Sequence, residues 1–129
     1  MTIFTTLPIN MQIVHIEDNE GDRVLVSKLL KTHLPLAKVI QYQRMEEVKS
    51  NFLNQYSEEN IIMLLDLGLS GYSEISALDV LLEYNFDRPI IVLTGVGETS
   101  LGIKSLKRGA QDFLRKKNLD GELLKHSIE

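Results

Sequence analysis

The sequence contains no cysteine, which excludes a disulfide framework, a thiolate metal site and a thiol nucleophile together, and is compatible with a reducing compartment. No apolar stretch approaches the length needed to span a bilayer. The opening MTIFTTLPIN carries no positive charge ahead of its few apolar residues, so it does not read as a signal peptide. No proline-, glycine- or serine-rich linker, low-complexity tract or repeat interrupts the chain. A cytoplasmic protein with no membrane contact is therefore the expectation. What is present is the balance of one compact domain: 129 residues, 43% hydrophobic and 25% charged. Residues 1–10 read as an N-terminal extension and 11–129 as the domain itself. With 14 basic against 18 acidic residues and a net charge of −4, direct nucleic-acid binding is not expected.

The charges are unevenly spread. Carboxylates gather early at Glu17, Asp18, Glu20 and Asp22, while Lys104, Lys107, Arg108, Arg115, Lys116 and Lys117 gather late. A solvated charged face accounts for most of each group, and Asp22 reads as a solvated or capping residue rather than a ligand.

Apolar segments of strand length alternate with longer segments of helical spacing. Strands are predicted at Gln12 to Glu17, Lys38 to Tyr42, Ile61 to Asp66, Pro89 to Thr94 and Asp112 to Arg115. The runs IVHI, IIMLL and IIVL are apolar at nearly every residue, as strands buried on both faces of a parallel sheet should be. Between them, Val26, Leu29, Leu30 and His33 share one helical face, as do Val48, Phe52, Leu53 and Tyr56, and then Leu78, Leu81 and Leu82. A helix over Leu101 to Arg108 ends at Gly109, and a last one begins near Leu119. Its apolar period is still running at Glu129, so a domain cut short within its last helix is expected. The order is (βα)₅, and right-handed crossovers favour a doubly wound α/β three-layer sandwich with functional groups at the carboxyl ends of its strands.

The polar residues fall at those ends. IVHI runs into Glu17 and Asp18, IIMLL into Asp66, IIVL into Thr94, and the fifth strand into Lys116. A parallel sheet brings these ends together, so three carboxylates, a hydroxyl and an ammonium converge. Carboxylates that close repel, and unless a cation intervenes at least one should have a raised pKa. Oxygen ligands without His or Cys favour Mg²⁺ or Mn²⁺ over zinc. The set suits phosphoryl transfer onto Asp66, with the metal and a lysine neutralising the transferred oxygens and Thr94 donating a hydrogen bond.

The segments IEDNEGDR, LLDLGLS, VLTG and GAQDFLRK, each at a predicted strand end, resemble the four signatures of response-regulator receiver domains. The resemblance runs from about residue 11 to 128 and implies the flavodoxin-like sheet order 2-1-3-4-5. It implies Asp66 as the phosphorylation site, and Glu17, Asp18, Asp66 and the backbone carbonyl of Gly68 as metal ligands. Thr94, Gly95 and Lys116 match phosphoryl-contacting positions, and Thr94 and Phe113 the switch pair. The implied partner is a sensor histidine kinase or a histidine phosphotransfer protein, with self-association or an output domain engaged through the surface of the fourth helix, fifth strand and fifth helix. Such a chain is not an enzyme beyond catalysing its own phosphoryl transfer and loss.

Two departures stand beside the site. Lys117 occupies a position where many receivers carry proline, so the loop after the fifth strand is expected to differ. LGLSGYSEIS exceeds the usual loop by about three residues and has Ser70 and Ala77 where proline and glycine are common. Taken alone, Asp66 would read as a strand terminator or a helix cap; only its company makes it an acceptor. An aspartyl-nucleophile phosphatase is a competing reading, weakened because Gly68 stands where that class places a general acid, whose loss costs about 10²–10⁴-fold in rate. A receiver-fold interaction module that never accepts phosphate is the other. His15, His33 and His126 show no ligand spacing and read as structural. Val96 is a candidate shield of the phosphoryl group against water, and GVGETSLG is a weak nucleotide motif.

Overall fold

The computed structural model describes residues 11–49, 60–84, 88–95 and 97–129. Residues 1–10, Phe52, Leu53 and Tyr56 of the second predicted helical face, and Val96 lie outside the described residues. Five strands, β1 (Met11–Ile16), β2 (Lys38–Tyr42), β3 (Asn60–Asp66), β4 (Ile90–Thr94) and β5 (Asp112–Arg115), form one parallel sheet in the order β2-β1-β3-β4-β5. Helices α1 (Glu20–His33), α2 (described at 45–49), α3 (Ser76–Tyr84), α4 (Thr99–Arg108) and α5 (Gly121–Ile128) alternate with them. The doubly wound sandwich is the one the alternation predicted, with strand limits displaced by no more than a residue.

Side chains alternate across a strand, and this alternation divides the core in two. Val14, Ile16, Met63, Leu65, Ile90 and Val92 face one side and pack with Met45 and Val48 of α2 and with Ala77, Leu78 and Leu81 of α3. Ile13, Leu64, Ile91, Leu93 and Leu114 face the other and pack with Val26 and Leu30 of α1 and Leu124 and Ile128 of α5. Each of the larger side chains among them stabilises by about 1.5–3 kcal/mol through burial, whereas exposed ion pairs such as Lys104–Glu74 contribute about 0–1 kcal/mol. The layers, not the surface charges, hold the strand ends in place.

Two glycines permit close helix approach. A Cβ on Gly102 of α4 would lie 2.3 Å from the Phe113 ring, and one on Gly121 of α5 would lie 1.8 Å from the ring of His33. Phe113 is thus seated on α4, and His33 joins α1 to α5, with its Nδ1 3.5 Å from Glu122. The ends of α1 are set locally: Asn19 Oδ1 accepts from the Asp22 N–H at 2.9 Å, and acids Glu20 and Asp22 occupy the first turn, where the helix dipole favours them.

Candidate functional site

Glu17 and Asp18 follow β1 directly, and Asp66 is the last residue of β3, the central strand, so both strand ends deliver carboxylates to the same edge of the sheet. One oxygen from each of Glu17, Asp18 and Asp66 lies within 4.8 Å of the others. Glu17 is wholly buried and Asp66 is 3% exposed. Lys116, the first residue of a 3₁₀ turn (Lys116–Asn118) after β5, reaches over them. Its Nζ lies 2.9 Å from Glu17 Oε1, 3.1 Å from Asp66 Oδ1 and 2.8 Å from Asp22 Oδ2. These groups, with Asn19, Gly68, Ser70, Gly95 and Glu98, line an open cavity of about 490 Å³.

Backbone donors fix the carboxylates. Gly68 N–H donates to Asp66 Oδ1 at 2.9 Å, Ser70 N–H to Asp18 Oδ2 at 2.8 Å, and Asn19 N–H to Glu17 Oε2 at 3.3 Å. The long loop after Asp66 is therefore part of the site. It is anchored by buried Leu67, Leu69 and Ile75 and turns through Gly71 at φ 88° and Glu74 at φ 52°; the latter is a left-handed conformation uncommon outside glycine.

The electrostatics match the crowding. Burial pushes Glu17 from 4.5 up to about 8, and the neighbouring Asp66 adds to it while Lys116 opposes. Burial acts to raise Asp18 too, but the hydrogen bonds from Ser70 outweigh it and hold the carboxyl below its ordinary value. For Lys116, burial would weaken proton binding, yet contact with Asp22 and Glu17, with Asp66 close by, leaves it well above the usual lysine range. Crowding by Asp66 thus contributes to the raised Glu17, as anticipated for clustered acids, but burial is the larger cause. The three clustered carboxylates, one of them wholly buried, could hold a metal ion.

Of the residues singled out in the sequence, Glu17, Asp18, Asp66, Gly68, Gly95 and Lys116 line the one cavity. Thr94 and Phe113 do not. Thr94 ends β4 next to Leu93, the register partner of Asp66, and its buried Oγ1 has no hydrogen-bond partner among the described residues. Phe113 packs with the α2/α3 core on Gly102. The Gly95 N–H is already engaged, donating to Glu98 Oε1 at 2.7 Å.

Sequence reasoning missed two participants. Asp22 is the strongest partner of Lys116 by distance rather than a solvated or capping residue, and Glu98 occupies the Gly95 amide. The partner of Asp22 lies 94 residues away, which no local pattern encodes. The late basic cluster is also less free than it reads: Lys104 pairs with Glu74, Arg108 with Asp79, and Lys116 with three carboxylates.

A receiver domain protein from Clostridium thermocellum superposes with a TM-score of 0.78 at 21% identity, over 92% of this chain and 90% of that one. The N-terminal receiver domain of a Bacteroides fragilis response regulator gives 0.76 at 26% identity, over 92% and 93%. This chain has the receiver-domain fold of response regulators. In sequence, nodulation protein W of Bradyrhizobium diazoefficiens is 39% identical over 62 residues, 48% of this chain. That match spans 27% of the nodulation protein's length, so the chain covers only a part of such relatives. No family model matches the sequence. The acidic trio and Lys116 thus stand at the strand ends of a receiver fold, and no helix among the described residues is long and apolar enough to cross a membrane.

Proposed function

We propose that this receiver accepts a phosphoryl group on Asp66 from a phosphohistidine. The observation that carries the reading is the convergence of Glu17, Asp18 and Asp66 within 4.8 Å under the Lys116 ammonium, 3.1 Å from Asp66 Oδ1. A carboxylate oxygen of Asp66 attacks phosphorus, the P–N bond to the donor imidazole breaks, and the imidazole leaves with a proton. Mg²⁺ held by Glu17, Asp18, Asp66 and the Gly68 carbonyl, with Mn²⁺ as a substitute, would supply positive charge against the transferred oxygens. Lys116 orients the acceptor and neutralises one of those oxygens. The Gly95 amide contributes once Glu98 has withdrawn.

The unpartnered Thr94 hydroxyl gains an acceptor when the phosphoryl group arrives, and a buried unmade hydrogen bond costs about 1–3 kcal/mol. That difference biases a two-state equilibrium in which Phe113 follows Thr94. The readout is the α4–β5–α5 surface, where Ile103, Leu106 and Leu123 are exposed apolar residues suited to a second copy or an output domain. A cytoplasmic sensor histidine kinase or phosphotransfer protein is the donor, and the chain turns over no substrate of its own.

The test is incubation with acetyl phosphate and Mg²⁺. The expected result is a mass gain of one phosphoryl group on the wild type and none on Asp66→Ala; no gain on the wild type, or an equal gain on the variant, overturns the assignment.

A further inference from the structure

We propose that Asp22 is a positioning residue that restrains the Lys116 ammonium and thereby limits how tightly the chain holds a phosphoryl group at Asp66. The inference rests on the phosphoacceptor reading of the same cavity and adds a residue to it.

An ammonium has three hydrogens to donate, and three carboxylate oxygens surround Lys116 Nζ: Asp22 at 2.8 Å, Glu17 at 2.9 Å and Asp66 at 3.1 Å. Of these only the Asp22 contact has hydrogen-bond geometry, Glu17 Oε1 has no hydrogen-bond partner among the described residues, and the acceptor aspartate has the longest contact, so the ammonium is aimed at Asp22. A phosphoryl group turns the singly charged Asp66 carboxylate into a dianionic acyl phosphate that needs Lys116, so the hydrogen bond that turns the ammonium towards Asp22 must yield. Glu17 and Asp66 belong to the trio suited to a cation. Asp22 stands outside it and has no other role in the cavity than to hold the lysine.

Its place is fixed from below. The first turn of α1 starts at an Asn19 cap that binds the Asp22 N–H, and this sets the carboxylate on the cavity rim. A helix N-terminus favours an acid in its own right. Glu20, exposed in the same turn, meets that preference without being a partner of Lys116. The Asp22–Lys116 pair is neither buried nor free, with side chains 39% and 21% exposed, so it is strong enough to compete and accessible enough to be exchanged.

Removing the Asp22 charge therefore both frees a donor and lessens repulsion of an incoming dianion. The experiment is a calorimetric or fluorine NMR titration of the chain with beryllofluoride, a phosphoryl mimic, at saturating Mg²⁺. Asp22→Asn and Asp22→Ala are each expected to tighten binding roughly threefold to tenfold, while Asp22→Glu stays near wild type and Glu20→Gln does not tighten it. The alanine variant keeps the test decisive where an amide would still bond Lys116. Unchanged or weaker binding in both neutral variants, or equal tightening by Glu20→Gln, overturns the restraint. Wild type that binds no beryllofluoride and takes no acetyl phosphate overturns instead the phosphoacceptor reading beneath it.

Discussion

His15 lies wholly buried on β1, two residues before Glu17. Its Nδ1 is 3.0 Å from Gln41 Nε2, which can only donate, so the neutral ring carries its proton on Nε2. Burial pushes this histidine from 6.5 down to about 4, with the charges of Lys116 and Arg23 adding to the effect. A folded-state pKa below the unfolded one means stability that is complete above pH 6.5 and is lost as pH falls towards 4. Glu17 moves in the opposite sense, since its raised folded value favours the native state at lower pH. The two effects oppose each other in the wild type, and a variant must separate them. In urea unfolding of metal-free protein, the stability of wild type relative to His15→Asn is expected to drop by up to about 3 kcal/mol between pH 7 and pH 4. A pH-independent difference would mean that the buried ring is protonated at little cost. None of this was legible from the sequence, where His15 reads only as a residue within an apolar run.

Among the elements, the seat of Phe113 on α4 is the most consequential contact outside the cavity. Glycine within a helix ordinarily costs about 0.5–1 kcal/mol relative to alanine, so Gly102→Ala should stabilise α4 unless something occupies the space. Here the added carbon would meet the Phe113 ring at 2.3 Å. The substitution is expected to destabilise by about 1–3 kcal/mol in thermal or denaturant unfolding and to displace the Phe113 ring resonances. A stabilised variant with an unmoved ring would show that Phe113 is not seated there. The helical period revealed the inward faces of α1 and α3, and Val26, Leu30, Leu78 and Leu81 are buried as expected. It could not reveal which glycines serve as contacts between elements, because Gly102 and Gly121 are defined by rings that arrive from Phe113 and His33. The 3₁₀ turn at Lys116–Asn118 delayed α5 to Gly121, two residues after the predicted start, in the loop whose Lys117 departs from the common pattern.

For the molecule as a whole, the parallel (βα)₅ alternation and the clustering of Asp66, Asp18 and Lys116 were readable because they follow from chain topology, while the sheet order came with the resemblance to receiver domains. Buried parallel strands announce themselves by composition, and their carboxyl ends must then meet. Partner choice within the cluster was not readable, since Asp22 and Glu98 reach their contacts only through side-chain geometry. Ligand linkage tests the assembled site in one measurement. A ligand at a hundredfold excess over its Kd adds about 2.7 kcal/mol of stability, so Mg²⁺ with beryllofluoride is expected to raise the unfolding midpoint by roughly 10 °C for a domain of this size. Asp66→Ala should abolish most of that rise; a wild type that melts at the same temperature with and without the two additives has no such site.

The two-residue alternation of the strands has a further bearing on traffic around the protein. Glu17, Asp66 and Lys116 share the parity of Ile13, Leu64 and Leu114, towards α1 and α5, whereas Thr94 and Phe113 share that of Val92, towards α3 and α4. On the proposed function, chemistry begun on the α1 side of the sheet would be passed through β4 and β5 to the α4 side. A donor leaning over the first helix and a listener resting on the fourth would then meet opposite faces of the sheet, whereas a listener that reached the fifth helix would share the donor's side.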